Sequence, residues 1–243
     1  MSEAIRLAKR VAEQAPCSRA DAERYIAGGW ISVDGKLVED PAMRVEDEQE
    51  VTIDPKATAD EPSPVTILLH KPAGVNAGVG AQGESALDLL TEESLLVPDH
   101  NRKRFLKRHL HKLTLTSPLE TMASGLLIYT QDFRVARKLV DDAERVEQEY
   151  VVEVAGTIAD GGLALLNHGL KFSGKPIAPM KVSWQNETRL RFALKGVRPG
   201  QIAHMCDAVG LTVVSMKRLR IGRISMAGVP AGQWRYLHEY ERF

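Results

Sequence analysis

Between residues 5 and 14 the apolar positions Leu7, Ala8, Val11 and Ala12 recur at helical spacing, which predicts a first helix. Ser18 followed three residues later by Asp21 has the pattern of a capping box opening a second short helix, which Gly28-Gly29 ends. Trp30-Ile31-Ser32-Val33 alternates as a strand, Asp34-Gly35 supplies a tight turn, and Lys36-Leu37-Val38 returns. Val51-Thr52-Ile53 adds a further strand. Two short helices and a small sheet predict a compact module over residues 1–54.

The stretch DPKATADEPSP at 54–64 holds Pro55, Pro62 and Pro64 among small and acidic residues, and predicts a linker over 55–64. Beyond it, residues 65–243 alternate strands and helices with Gly/Pro turns. Strands are expected at 65–69, 126–129, 150–154, 189–194 and 213–216, and helices at 85–90, 133–142 and 202–208. The expected fold class is α+β: a small α/β module, then a domain around a largely antiparallel, mixed sheet.

The apolar share of 44% supports a sizeable core, and aromatics at 5% leave it to Leu, Val, Ile and Ala. With 32 basic and 32 acidic residues, overall charge says nothing about partners. Its distribution does. Residues 181–243 carry eleven Lys/Arg against Glu187, Asp207, Glu239 and Glu241. A second run, Arg102, Lys103, Arg104, Lys107, Arg108 and Lys112, has His100, His109 and His111 among it. Such clustering suggests a polyanion footprint, against the plainer reading of a solvated helix face. Cys17 and Cys206 stand far apart and in no ligand spacing, so no disulfide scaffold and no zinc site is expected. No secretory signal or membrane-length apolar run is legible, and a cytoplasmic protein without membrane contact is expected.

Arg6-Leu7, Ser18-Arg19, Ala22, Ile26, Gly28 and the hairpin Ile31 to Lys36 together resemble the S4 RNA-binding module. That resemblance implies an RNA face at Arg6, Lys9, Arg10, Arg19 and Lys36, although residues 1–56 hold twelve acids against eight bases. Behind the linker, Leu68-Leu69-His70-Lys71-Pro72-Ala73-Gly74 resembles the opening of the S4-containing ribosomal RNA pseudouridine synthases, with His70 where an Asn is usual. LETMASGLLIYTQD at 119–132 is similar to the family's catalytic loop and following strand, and Glu149 to Val154 to the strand bearing its tyrosine. Gln201-Ile202-Ala203-His204-Met205 opens a tail through Arg218 and Arg220 to Trp234. Its order and spacing are most similar to the branch that modifies both 23S rRNA and a tRNA. The resemblance spans nearly the whole chain and implies structured rRNA or tRNA as partner, a monomer, no metal and no cofactor.

Converting uridine to pseudouridine breaks the N-glycosidic bond, turns the base and rejoins it through carbon. The base must leave its stack, so a wall to pack it on and one carboxylate at the sugar are needed. By the resemblance, Glu120 stands at the place of the catalytic aspartate and Tyr150 is the wall, with Lys71, Arg218 and Arg220 on RNA. The motif departs from the family pattern: Ser117-Pro118-Leu119-Glu120 puts Glu for Asp and Pro118 for an arginine. Ala203 replaces the arginine that pairs with the acid, and Gln148 stands where a base is usual. One methylene moves a carboxylate by about 1 Å, a misplacement that can cost about 10²-fold in rate. Losing the guanidinium also removes a charge-assisted hydrogen bond. Two functions follow: a synthase using Glu120, or a non-catalytic RNA-binding scaffold derived from one.

Overall fold

The computed structural model describes residues 4–61, 63–79, 83–96 and 103–243. Arg102 and His100 of the basic run, and Pro62 of the linker, lie outside the described residues. The chain forms two compact units: residues 1–64 with 103–112, and residues 65–102 with 113–243.

The first unit holds β1 (Ile5–Arg6), α1 (Leu7–Gln14), α2 (Arg19–Ala27), β2 (Ile31–Val33), β3 (Lys36–Val38), β4 (Arg44–Val45) and β5 (Val51–Ile53). Leu7, Ala8 and Val11 of α1 meet Ala22 and Ile26 of α2 in a core completed by Ile31, Val33 and Val45. The Ser18 hydroxyl caps α2 by accepting from the Asp21 N–H at 3.1 Å. Instead of reaching back to the backbone, the Asp21 carboxylate accepts from that same hydroxyl at 2.6 Å. Asp34 and Gly35 both have positive φ, 49° and 75°, which makes the two-residue turn follow the strand twist.

The expected domain division needs one correction. Residues Lys103–Lys112, in the middle of the second stretch of sequence, pack with the first unit. Arg104 pairs with Asp54 at 2.9 Å and lies over the Trp30 ring. The backbone N–H groups of Lys107 and Arg108 donate to the Glu39 carboxylate at 3.0 and 3.3 Å. Leu106 and His109 are buried, and burial lowers the His109 pKa to about 4. The backbone of this segment and Arg104 are therefore tied to acids of the first unit, while the side chains of Arg104, Lys107 and Lys112 stay exposed.

The second unit comprises β6 (Thr66–Lys71), β7 (Gly78–Val79), β8 (Thr114–Leu115), β9 (Leu119–Glu120), β10 (Ser124–Thr130), α3 (Phe133–Val140), β11 (Glu147–Gly156) and α4 (Gly162–Asn167). It continues through β12 (Lys171–Phe172), β13 (Lys175–Pro176), β14 (Lys181–Trp184), β15 (Arg189–Lys195), α5 (Gln201–Asp207), β16 (Leu211–Ile221), β17 (Ile224–Ser225) and β18 (Trp234–Tyr236). The main sheet runs β14-β15-β11-β16-β10-β6-β18, antiparallel except for the β10–β16 pair. Five expected strands are present and longer than the patterns that signalled them. The helix expected at 85–90 is a pair of turns, Asp88 N–H to Ser85 O and Leu90 N–H to Leu87 O. The Ser85 hydroxyl accepts from the Leu87 N–H and the Asn76 carbonyl from the Ala86 N–H.

One row of residues crosses six strands on one face. Lys71 (β6) is opposite Gly125 (β10), Gly125 opposite Arg218 (β16), Arg218 opposite Tyr150 (β11), and Tyr150 opposite Phe192 (β15). Val182 (β14) ends the row. Between Glu149 and Tyr150 the β11–β16 register slips past Leu219, a bulge that aligns Arg218 with Tyr150. Gly125 has φ 117°, and a Cβ there would lie 2.2 Å from the Arg218 carbonyl oxygen, so only glycine admits this close parallel pairing.

Candidate functional site

Tyr150 of this row lines a narrow cleft together with Pro118, Glu120, Arg198, Ile202 and Met216, among others. Glu120 is set by β9, which pairs in parallel with β7, and by the Thr121 N–H donating to the Val79 carbonyl at 3.1 Å. Its Oε1 accepts from the Gly200 N–H at 2.8 Å. The expected proximity of Glu120 and Tyr150 is thus a feature of the geometry. Ala203 is exposed and Ile202, its neighbour, lines the cleft. The open space amounts to about 10 Å³, which is about enough for one water.

Beneath the cleft Arg218 is fully buried. Its Nε donates to the Leu126 carbonyl at 2.8 Å and Nη2 to the Ser117 carbonyl at 2.8 Å. Nη1 reaches the Ser117 hydroxyl at 2.9 Å and the Tyr150 hydroxyl at 3.3 Å. Tyr150 in turn donates to Gln148 Oε1 at 2.8 Å. A cation at 148 would stand where Oε1 lies 3.4 Å from the guanidinium, so the neutral amide suits this structure. Burial raises the Tyr150 pKa, with Arg218 opposing.

Lys71 is also fully buried, its Nζ donating to the carbonyls of Pro72, Val75 and Thr121 at 2.9, 2.7 and 2.9 Å. Burial and the nearby Arg218 lower its pKa to about 8, and Glu120 opposes them. Lys71 and Arg218, expected on RNA, are corrected to internal struts that hold the loops around Glu120. Every polar atom they present is turned to protein carbonyls and hydroxyls. Arg220, expected on RNA too, is half-buried and paired with Glu147 at 2.5 Å and Glu149 at 3.2 Å. His70 is buried, its Nδ1 within 2.6 Å of the Val229 carbonyl, so it serves packing between β6 and the C-terminal loop.

In the first unit Arg6, Lys9 and Arg19 line one open groove together with Arg44. Arg6 and Arg44 are direct cross-strand partners in the β1–β4 pair. Like charges so placed repel unless something negative lies over them. Arg44 was not singled out by sequence, since the β1–β4 pairing that brings it opposite Arg6 is non-local. Arg10 instead pairs with Asp47 at 3.2 Å, and Lys36 is exposed on β3 away from the groove lining.

The S4 domain family profile matches residues 5–51. Over 240 residues the chain is 28% identical to an uncharacterized RNA pseudouridine synthase of Aquifex aeolicus, covering 98% of this chain and 94% of that protein. It is 26% identical to ribosomal large subunit pseudouridine synthase B of Bacillus subtilis, covering 98% and 94%. It is also 26% identical to the dual-specificity RNA pseudouridine synthase RluF of Escherichia coli, covering 98% and 77%. A crystal structure of a pseudouridylate synthase superposes with TM-score 0.60 at 19% identity, over 97% of this chain and 96% of that one, and so shares the fold. The chain thus carries an S4 domain, is similar along nearly its whole length to RNA pseudouridine synthases and shares the fold of a pseudouridylate synthase.

Proposed function

We propose that the chain binds structured rRNA or tRNA through both units and isomerises a uridine to pseudouridine with Glu120 as the carboxylate. The observation that carries this is that Glu120 and Tyr150, thirty positions apart in the chain, line one cleft over the Lys71–Gly125–Arg218–Tyr150 row. An extruded base would pack on the Tyr150 wall with Glu120 at the sugar, where the N-glycosidic bond is broken and the carbon bond formed. The Arg6, Lys9, Arg19 and Arg44 groove of the first unit supports a phosphate-binding role there. The isomerisation exchanges one bond of the base for another, so no cofactor enters this proposal. A cytoplasmic monomer completes it.

A second reading, a non-catalytic RNA-binding scaffold, is favoured by one observation. The Glu120 carboxylate is held by the Gly200 N–H instead of a guanidinium, in a cleft with little open space. Mapping pseudouridine across total RNA with and without the protein separates the two. New pseudouridine that disappears with Glu120→Ala supports the enzyme. Tight RNA binding with no new pseudouridine supports the scaffold.

A further inference from the structure

The cleft lacks an arginine at 203, yet it contains a guanidinium. Arg198 lines it beside Glu120 and Pro118. Lys71 and Arg218 point inward and are fully buried, so Arg198 is the cation among the lining residues. Its position is built, in three ways. The guanidinium carbon lies 4.9 Å from the centroid of the Phe172 ring. Nη2 donates to the Phe172 carbonyl at 3.3 Å, and the Arg198 backbone N–H donates to Gln201 Oε1 at 3.3 Å. Two residues later Gly200, at φ 77°, turns its N–H to Glu120.

One short loop therefore holds the acid and presents a stacked cation at the same cleft. No ion pair joins Arg198 to Glu120 among the described residues. The acid has its hydrogen bond from Gly200, and the guanidinium keeps most of its five donors. The hairpin that carries Phe172 adds exposed Lys171 and Lys175, and is closed by a turn with Ser173 and Gly174 at positive φ.

We propose that Arg198 is a substrate-binding residue that contacts the backbone phosphate of the nucleotide whose base enters beside Glu120. It supplies the cleft with the guanidinium absent from position 203, but serves the phosphate and not the acid. The physical reason is that a base cannot enter without its phosphodiester reaching the rim. A planar guanidinium preset on an aromatic ring meets phosphate oxygens at low entropic cost. The inference rests on the reading that this cleft receives an extruded nucleotide.

The test uses the full-length protein as wild type, Arg198→Ala and Arg198→Lys, with a short RNA stem-loop carrying uridines in its loop and a fully paired duplex of the same stem. Binding is measured by fluorescence anisotropy over a salt series, and pseudouridine formation is read in the same mixtures. Arg198→Ala should weaken stem-loop binding about tenfold and make the slope of log affinity against log salt shallower by about one. Arg198→Lys should keep the slope and lose part of the affinity, and duplex binding should be the same for all three. Thermal midpoints should agree. Unchanged affinity and slope in Arg198→Ala would overturn the proposal, as would equal loss on stem-loop and duplex or a large drop in both variants' midpoints. Absence of pseudouridine in the wild-type mixtures would remove the enzymatic reading and leave the binding comparison to decide on Arg198.

Discussion

Arg218 and Tyr150 are joined at 3.3 Å through Nη1 and the phenolic oxygen, on a rung of the sheet where a bulge brings their side chains to the same face. The guanidinium fork also holds both the hydroxyl and the carbonyl of Ser117, two residues before the backbone enters Leu119–Glu120. The wall of the cleft and the loop carrying its acid are thus fastened to one buried cation. Replacing Arg218 by Met should leave the Leu126 and Ser117 carbonyls unpaired in the interior and cost about 3 kcal/mol. Chemical denaturation of the two proteins measures this. A change within about 0.5 kcal/mol would contradict the strut role.

Gly125 is the second point on which that rung depends. A methyl group there meets the Arg218 backbone at 2.2 Å, and the positive φ of 117° is itself unfavourable for alanine. Gly125→Ala should therefore destabilise by about 3 kcal/mol or more, because backbone cannot yield as a side-chain tip can. Circular dichroism melting reads the effect, and near-native stability would argue against the β10–β16 pairing.

The buried His109 predicts a pH dependence in the first unit. Its folded pKa is lowered to about 4 by burial, below the ordinary value of 6.5. The unfolded chain then binds more protons between those values, so stability should fall as pH falls from about 6.5 to 4. His109→Phe should flatten that part of the curve. Urea titrations across this window check it, and an unchanged pH slope would show that other groups carry the acid sensitivity.

At the groove of the first unit, Arg6 and Arg44 face each other across β1 and β4. Removing both charges should weaken RNA binding and make its salt dependence shallower by about one to two. Stability should hold or rise slightly, since a like-charge cross-strand pair is relieved. Loss of stability with unchanged binding would sink the assignment.

The acid and its missing partner give the sharpest enzymatic prediction. Slow pseudouridine formation that depends on Glu120 is expected from the wild type. Glu120→Asp alone should help little, because it shortens the acid away from the Gly200 N–H, at 2.8 Å in the wild type, without restoring a guanidinium. Glu120→Asp with Ala203→Arg should exceed the sum of the single changes, as for groups placed in contact. Pro118→Arg addresses base extrusion separately. Tritium release or sequencing on rRNA and tRNA provides the readout. Robust wild-type turnover abolished by Glu120→Ala would show that glutamate serves.

Local rules carried much of the fold. The Asp34-Gly35 turn, the Ser18 cap and the apolar spacing of α1 each act within a few residues, so each was legible from the chain alone. The order of motifs from Leu68 to Trp234 likewise pointed to the family, and brought Glu120 and Tyr150 forward as candidates. Tertiary structure decided which cations face outward. Lys71, in the motif behind the linker, and Arg218, in the basic tail, read as charges facing RNA, yet the fold turns them inward, Lys71 to the carbonyls of Pro72, Val75 and Thr121 and Arg218 to those of Ser117 and Leu126. Arg198, one more charge of that same tail, is placed at the cleft by Phe172, which sits on a hairpin of its own. The segment 103–112 reads as part of the second domain and packs in the first because Asp54, Glu39 and Leu106 meet only on folding. Whether a charge is a strut, a packing residue or a contact depends on burial and on partners far along the chain, and no local spacing encodes those.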